Sequence, residues 1–281
     1  MTESLLLASP WKADVYAAAA LLSSGALYVA GSWRVLRRAT GEHRRALRQA
    51  IAAFTIGWAM LGLALLSPIA VVADVLFSWH MTQHELLMLV AAPFIALGRP
   101  LAPMVAALPS RLRRPAAHVL SSRAAERITT PLAVFLIHAV LLWMWHVPVL
   151  FEAAVRDERI HLLQHVSFAG SACLFWWTML HGRYGRTGYG VAVFYVFATA
   201  IHSGSLGALA AFSERPWYPL YVQSAAHTHD ALVDQQLAGL IMWIPSGVTM
   251  MLFGLGIFAA WLGHAEHRRQ RGWSSSSWRT P

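Results

Sequence analysis

Seven long apolar runs constrain this chain more than any other feature of its sequence. They lie at 13–32, 49–68, 76–98, 129–147, 160–180, 189–212 and 236–263. Each is close to the length of about 20 residues that an α-helix needs to cross a bilayer. Charged residues make up only 12% of the chain, which is about half their share in a typical soluble domain. The pattern predicts an all-α polytopic membrane protein with a seven-transmembrane-helix bundle.

The basic residues indicate how such a bundle is oriented. Arginines are concentrated in the segments 34–48, 99–127 and 183–186 and in the tail, and with seven spans these segments all fall on one side. By the positive-inside rule that side is cytoplasmic, so we expect the N-terminus outside and the C-terminus in the cytoplasm. We further expect residues 1–267 to form a single seven-span domain and the Ser-rich tail, 268–281, to be disordered.

Charge and cysteine content exclude several kinds of site. The formal net charge of +9 follows from the arginine-rich connections, so it indicates topology, and we expect membrane lipid and no nucleic acid as a partner. Cys173 is the only cysteine, which excludes a disulfide framework and a CxxC motif. A metal site in this chain must therefore be built from other ligands.

Two pairs of histidines have the spacing that a metal site on a helix requires. His80 and His84 open the third apolar run, and His161 and His165 open the fifth, each pair four residues apart. On a helix this spacing places both imidazoles on one face. With the predicted orientation, both pairs lie at the outer face of the membrane. We predict that these four residues are metal ligands, and imidazole alone leaves Cu, Zn, Fe and Ni open.

Other polar residues at the outer face or inside the membrane are predicted to support the site or to add ligands. Ionisable groups inside a membrane are costly and usually face the interior of the bundle. The supporting residues or additional ligands that we predict are His146, His202, Glu85, Asp234 and Gln235. Whether His138, His227 and His229 take part is left open. The methionines near the site are kept out of the predicted ligand set, because Met also fills gaps in ordinary cores.

Five motifs follow one another along the third to seventh runs. They are His80-Met81-x-Gln83-His84 leading to Ala92-Pro93 and Leu97-Gly98, then Trp145-His146-x-Pro148, then His161-x-x-Gln164-His165-x-x-Phe168 running to Phe175-Trp176, then Trp217-Tyr218-Pro219-x-Tyr221, and Asp234-Gln235-Gln236-x-x-Gly239-x-Ile241-Met242-Trp243. In this order they resemble the multi-span bacterial CtaG family, the assembly factors for caa(3)-type cytochrome c oxidase. The first two runs match that family only in hydropathy. Gln164 departs from the family pattern, in which this position is acidic in many members.

The resemblance implies a function in building a respiratory enzyme. It implies a multi-pass protein of the bacterial plasma (inner) membrane that binds copper, as Cu(I) or Cu(II), and helps deliver it to the copper centre of a heme-copper oxidase. The implied partners are the oxidase subunit that carries this centre and a periplasmic or other extracytoplasmic copper donor. The predicted histidines are residues of the family motifs.

Two other functions remain compatible with the sequence. The chain could be a heme-binding membrane redox protein, in which His84 and His165 on two helices ligate one heme iron. It could also be a metal transporter, with His202 and the Gly-rich sixth run along the path. Nothing in the sequence resembles a nucleophile elbow, a phosphate loop or a paired-carboxylate site. We therefore expect a protein that is not an enzyme.

Overall fold

A computed structural model of the chain describes residues 15–181, 189–225 and 230–276. Within these residues the fold is entirely helical and contains no strand. The helices are α1 (Val15–Leu36), α2 (Gly41–Leu66), α3 (Pro68–Ala73), α4 (Phe77–Glu85), α5 (Ala92–Leu97), α6 (Leu101–Ala107), α7 (Ser110–Leu120), α8 (Arg123–Ile128), α9 (Pro131–Trp145), α10 (Pro148–Arg156), α11 (Glu158–His181), α12 (Tyr189–Ala211), α13 (Pro219–Ala225) and α14 (Ala231–Ser276). A π-helical segment, Leu86–Ala91, joins α4 to α5.

Within the described residues, all seven of the predicted apolar runs contain helix. Among the described residues, α1, α2, α12 and α14 are long and apolar enough to cross a membrane, and two bent helix pairs raise the number of such candidates to six. Helix α11 has 24 residues, but His161, Gln164 and His165 lower its hydropathy, and it is not among these candidates. An all-helical fold is thus confirmed, and it contains four to six helices or bent helix pairs that are candidates for crossing a membrane. The number seven and the orientation of the termini stay predictions.

The two bent pairs break where the sequence contains helix-terminating residues. The continuous helix Phe77–Leu97 meets α6 at 66°, and Arg99 at this corner has a φ of 47°, which is costly for a residue other than glycine. Helix α9 ends at Trp145, and α10 begins at Pro148 at an angle of 76°. Proline is favoured in the first turn of a helix, where no backbone N–H is needed. The chain therefore changes direction directly beside His146.

The π-helical segment follows directly on the helix that carries His80 and His84. Pro93 has no N–H with which to bond the carbonyl four residues earlier, so the regular α-helical ladder is interrupted there. The indole of Trp176 on α11 donates a hydrogen bond of 2.9 Å to the carbonyl of Met88 in this segment. This bond ties the broken helix to α11. Segments of this kind occur often at functional sites.

Close backbone packing holds the last two long helices together. A Cβ atom built at Gly239 on α14 would lie 2.5 Å from the carbonyl oxygen of Gly207 on α12, so this contact requires glycine. Small residues at helix interfaces allow such approaches in membrane proteins. The structure continues α14 to Ser276, so the described part of the predicted disordered tail, 268–276, is helical.

Candidate metal centre

The paired histidines of α4 and α11 face one another across the bundle. The ring centroids of His80 and His84 are 4.4 Å apart, and those of His161 and His165 are 4.2 Å apart. Between the helices, His80 lies 5.3 Å from His161 and His84 lies 5.4 Å from His165. The four rings form one group, which we call the histidine cluster.

The histidine cluster is enclosed and its nitrogens are close together. The exposed fractions of His80 and His84 are 0% and 1%, and that of His165 is 6%. One ring nitrogen each from His80, His84 and His161 lie within 4.8 Å of one another. Nitrogens bound about 2 Å from a shared ion lie at most about 4 Å apart. Small side-chain movements would therefore place three imidazoles on one ion.

Tyr221 on α13 fixes the protonation of the His80 ring. Its hydroxyl oxygen lies 3.1 Å from Nδ1 of His80. The hydroxyl donates a hydrogen bond of 2.9 Å to the carbonyl of Ala73. Burial raises the pKa of Tyr221 well above its usual value, so the phenol keeps this proton. Nδ1 of His80 must then be the donor to the tyrosine oxygen. The lone pair of His80 is consequently on Nε2.

His146 has the same tautomer and borders the cluster. Its Nδ1 lies 2.7 Å from the carbonyl of Leu142, an acceptor, so Nδ1 carries the proton and Nε2 carries the lone pair. The His146 ring lies 6.4 Å from Phe151 and 6.1 Å from Phe168. These phenyl rings also contact His80 at 5.0 Å and His84 at 4.8 Å. His146 thus shares two aromatic neighbours with His80 and His84.

Several buried ring nitrogens at the site have no hydrogen-bond partner among the described residues. Within the described residues, the nitrogens that lack a hydrogen-bond partner include His80 Nε2, His84 Nδ1, His84 Nε2, His146 Nε2 and His165 Nε2. A buried polar atom left unpaired costs about 1–3 kcal/mol. A metal ion that accepts imidazole ligands removes this cost, and copper is among the ions that prefer imidazole. The donor set therefore fits a copper ion.

Asp234 supports the site through the backbone of α4. Its carboxylate accepts a hydrogen bond of 2.7 Å from the amide of Phe77 and contacts of 3.4 Å from the amide of Ser78. Leu76, the residue that precedes α4, makes no capping side-chain bond. The negative charge at this helix end also interacts favourably with the helix dipole. Asp234 thus holds the helix that carries His80 and His84, and among the described residues its carboxylate bonds to backbone amides and to no imidazole.

Gln235 organises the connection between α12 and α13. Its amide oxygen accepts a bond of 2.6 Å from the backbone of Trp217, and its amide nitrogen donates to the carbonyl of Arg215 at 3.2 Å. The adjacent Tyr218 donates to the carbonyl of His146 at 3.0 Å. Gln235 therefore acts on the segment that leads to Tyr221.

Glu85 and His202 lie apart from the histidine cluster. Glu85 borders a separate cavity of about 30 Å³, whose other lining side chains include Met88, His138, Thr199, Met242 and Met250. The His202 ring contacts Phe135 at 5.4 Å and His138 at 6.4 Å. His138 in turn lies 3.1 Å from the hydroxyl of Ser171. His227 and His229 lie outside the described residues.

Two residues that the ligand prediction left out lie beside the predicted ligands: Gln164 directly precedes His165, and Tyr221 contacts His80. Gln164 is fully buried, and both polar atoms of its amide lack a partner within the described residues, so its oxygen is available as a ligand. Tyr221 fixes His80 as described above. Both residues belong to the five motifs of the sequence, and this membership is the signal that could have identified them. Spacing along one helix could not identify Tyr221, because it contacts His80 from another part of the chain.

Comparison with known proteins identifies one family. The family model of the cytochrome c oxidase caa3 assembly factor (Caa3_CtaG) matches residues 26–264. No curated protein and no solved structure matches the chain. The matched range includes the first two apolar runs from residue 26 onwards as well as the five motifs.

Proposed function

The chain belongs to the family of cytochrome c oxidase caa3 assembly factors, and we propose that it accepts copper at the histidine cluster and passes it to the oxidase. In this proposal the recipient is the oxidase subunit that carries the heme-copper site. The donor is an extracytoplasmic copper carrier, and the protein works in the bacterial plasma membrane with the cluster at the outer face. Copper is the cargo, and no bond in a substrate is made or broken.

The unpartnered nitrogens of the buried histidines carry this proposal. A purely structural histidine in a helical bundle is expected to use both ring nitrogens or to expose one of them to water. His84 has two buried ring nitrogens without a partner among the described residues. The hydrogen bonds of His80 and His146 direct the lone pair of each ring to its other nitrogen. This arrangement is the one that metal-binding histidines use.

The layout of the cluster suits transfer better than permanent storage. Two pairs of imidazoles on facing helices offer a copper ion alternative ligands, so that it can exchange one nitrogen for the next. His165 also lines an apolar cavity of about 230 Å³ whose walls include Leu21, Leu61 and Leu162. These side chains come from α1, α2 and α11. In this proposal, a membrane-embedded partner reaches the cluster through this cavity.

The heme alternative conflicts with the spacing of the rings. A flat macrocycle between α4 and α11 needs van der Waals contacts of about 3.5 Å on each face, or about 7 Å in all. His80 and His161 are stacked with centroids only 5.3 Å apart. A porphyrin ligated by His84 and His165 would have to separate this neighbouring pair. We therefore do not propose heme binding.

Metal analysis of the purified protein tests the copper proposal. The wild type, loaded with Cu(I) and freed of excess metal, should retain copper. Two double variants should lose it: one combines His80→Ala with His84→Ala, and the other combines His161→Ala with His165→Ala. His118→Ala is the control, because this histidine is exposed on α7. The copper content of the oxidase in membranes should fall in the same variants. Wild-type copper content in both double variants would falsify the proposal.

A further inference from the structure

A basic cavity lies at the end of the bundle remote from the histidine cluster. It forms where α1 ends and α2 begins, with a volume of about 780 Å³. Gln83, the residue before His84, bonds to the carbonyl of Ala64 near the other end of α2. Residues 41 and 64 of one helix are about 35 Å apart at 1.5 Å per residue. The cavity and the histidine cluster are thus separated by about the thickness of a bilayer core.

The cavity is lined by cationic side chains, and no carboxylate is among its lining residues in the described part of the chain. The cationic or basic residues are Arg34, Arg37, Arg38, His43 and Arg113. A planar guanidinium binds phosphate oxygens through paired hydrogen bonds. Four such groups around one space strongly favour a phosphate-bearing anion.

Two of these arginines are held in place by backbone carbonyls. Arg34 donates to the carbonyls of Ala106 and Ala107 at 2.8 Å each, at the C-terminal end of α6, where a cation is favoured. Arg113 donates to the carbonyl of Leu108 at 2.8 Å. A guanidinium has five N–H donors, so these bonds use only part of its capacity. The positions of Arg34 and Arg113 in the cavity wall are therefore fixed without a ligand.

An apolar groove between α1 and α2 continues from the basic cavity. Its volume is about 520 Å³, and Trp33 lines both spaces. Along α1 the groove extends from Leu22 to Leu36, which is about 21 Å of helix. The hydrocarbon of one leaflet is about 15 Å thick. The groove is thus long enough to hold an acyl chain whose head group lies in the cavity.

We propose that the cavity and the groove together bind one anionic phospholipid. The phosphate lies among Arg34, Arg37, Arg38 and Arg113, and one acyl chain follows the groove past Trp33 toward Leu22. Basic pockets between membrane helices bind acidic head groups by this combination of charge and burial. A soluble phosphate compound would use only the cavity, whereas a neutral lipid would use only the groove. The lipid ties the α1–α2 hairpin to α6 and α7.

Thermal unfolding in neutral detergent tests this site. Phosphatidylglycerol should raise the Tm of the wild type, whereas phosphatidylcholine with the same acyl chains and water-soluble glycerol phosphate should not. Arg37→Gln with Arg38→Gln should weaken phosphatidylglycerol binding at least about tenfold, because two charge-assisted contacts are lost. Arg44→Gln with Arg45→Gln is the matched control, since it removes the same charge from the neighbouring exposed turn of α2.

A second variant separates the groove from the charges. Ala26→Phe places a ring in the groove and leaves every arginine in place. Ala30, on the same helix, does not line the groove, so Ala30→Phe is the control. Ala26→Phe should weaken lipid binding, and Ala30→Phe should not. Three results would each overturn the proposal. The two phospholipids could raise Tm equally, the two double arginine variants could lose equal amounts of lipid binding, or glycerol phosphate could raise Tm as much as phosphatidylglycerol does. All variants are compared with their own Tm without lipid.

Discussion

Nδ1 of His80 lies 3.1 Å from the hydroxyl oxygen of Tyr221, which is 141 positions further along the chain. The Tyr221 hydroxyl donates its hydrogen bond to the carbonyl of Ala73. The histidine is therefore held as one tautomer, with Nε2 directed away from the tyrosine. This contact makes α13 part of the candidate metal centre, although α13 supplies no ligand. It also allows the support of the site to be tested separately from its ligands.

Replacing Tyr221 by phenylalanine should weaken copper binding without removing a ligand. Loss of the hydrogen bond leaves the His80 ring free to change tautomer and orientation, and such supporting bonds are typically worth 10–100-fold in metal affinity. Copper affinity is measured by competition with a chelator of known affinity. Tyr195→Phe, on α12, is the control and should keep the wild-type affinity. Unchanged affinity in Tyr221→Phe would show that His80 needs no support from α13.

Replacing His84 by leucine should stabilise the metal-free protein and abolish its response to copper. Both ring nitrogens of His84 are buried without partners in the described part of the chain. Leucine has no polar atom that needs a hydrogen-bond partner, so the free energy of unfolding should rise by about 1–3 kcal/mol. Copper raises the stability of the wild type by mass action, and this increment should vanish in the variant.

Thermal unfolding with and without copper measures both effects. His146→Leu is the companion variant, since only one nitrogen of His146 is unpartnered and the other bonds to Leu142. It should gain less stability than His84→Leu. A metal-free His84→Leu protein with a lower Tm than the wild type contradicts the assignment of His84 to a site built for a cation.

The sequence indicated which histidines lie together better than it indicated the contacts that hold them. His80 and His84, and likewise His161 and His165, are related by local helical geometry, which a spacing of four residues already specifies. The distance between the two pairs depends on how α4 packs against α11, and no local pattern encodes it. Pro100 and Pro148 lie beside the bends after Leu97 and Trp145, but the angles of these bends are visible only in the structure. The contacts of Asp234 and Tyr221 join distant segments, so they required the folded structure.

Replacing Asp234 should destabilise α4 to a degree that depends on the new side chain. Asp234→Ala removes the acceptor for the amide of Phe77, and loss of a helix cap costs about 0.5–2 kcal/mol. Asp234→Asn keeps one acceptor oxygen, so we expect a smaller loss of stability and near-normal copper binding. Denaturant unfolding and copper titration measure the two effects. A large loss of copper by Asp234→Asn at unchanged stability would instead favour direct coordination by the carboxylate.

Glu85 and His84 are neighbours in sequence but should behave as members of different sites. Adjacent residues on a helix point about 100° apart, and Glu85 lines the small cavity with Met88 and His138. Glu85→Gln should therefore leave copper binding at the histidine cluster unchanged, whereas His84→Gln should reduce it strongly. Both variants are assayed by metal content after purification. Equal copper loss in the two would place Glu85 at the cluster.

Gly239 should link the packing of α14 to the metal centre. A Cβ at this position would lie 2.4 Å from the backbone nitrogen of Ala211 on α12, so Gly239→Ala must push the two helices apart at a cost of about 1–3 kcal/mol. The same displacement moves Asp234, which lies about one turn earlier on α14 and caps α4. Copper affinity should consequently fall together with Tm.

The control for this variant lies on the same helix. A Cβ at Gly247 would meet nothing within 4 Å in the described part of the chain, so Gly247→Ala should leave copper affinity unchanged and slightly raise Tm, because alanine favours the helix by about 1 kcal/mol. If Gly239→Ala lowers Tm but leaves copper affinity intact, then the position of Asp234 does not depend on the α12–α14 contact. In that case α4 itself is enough to hold His80 and His84 in register.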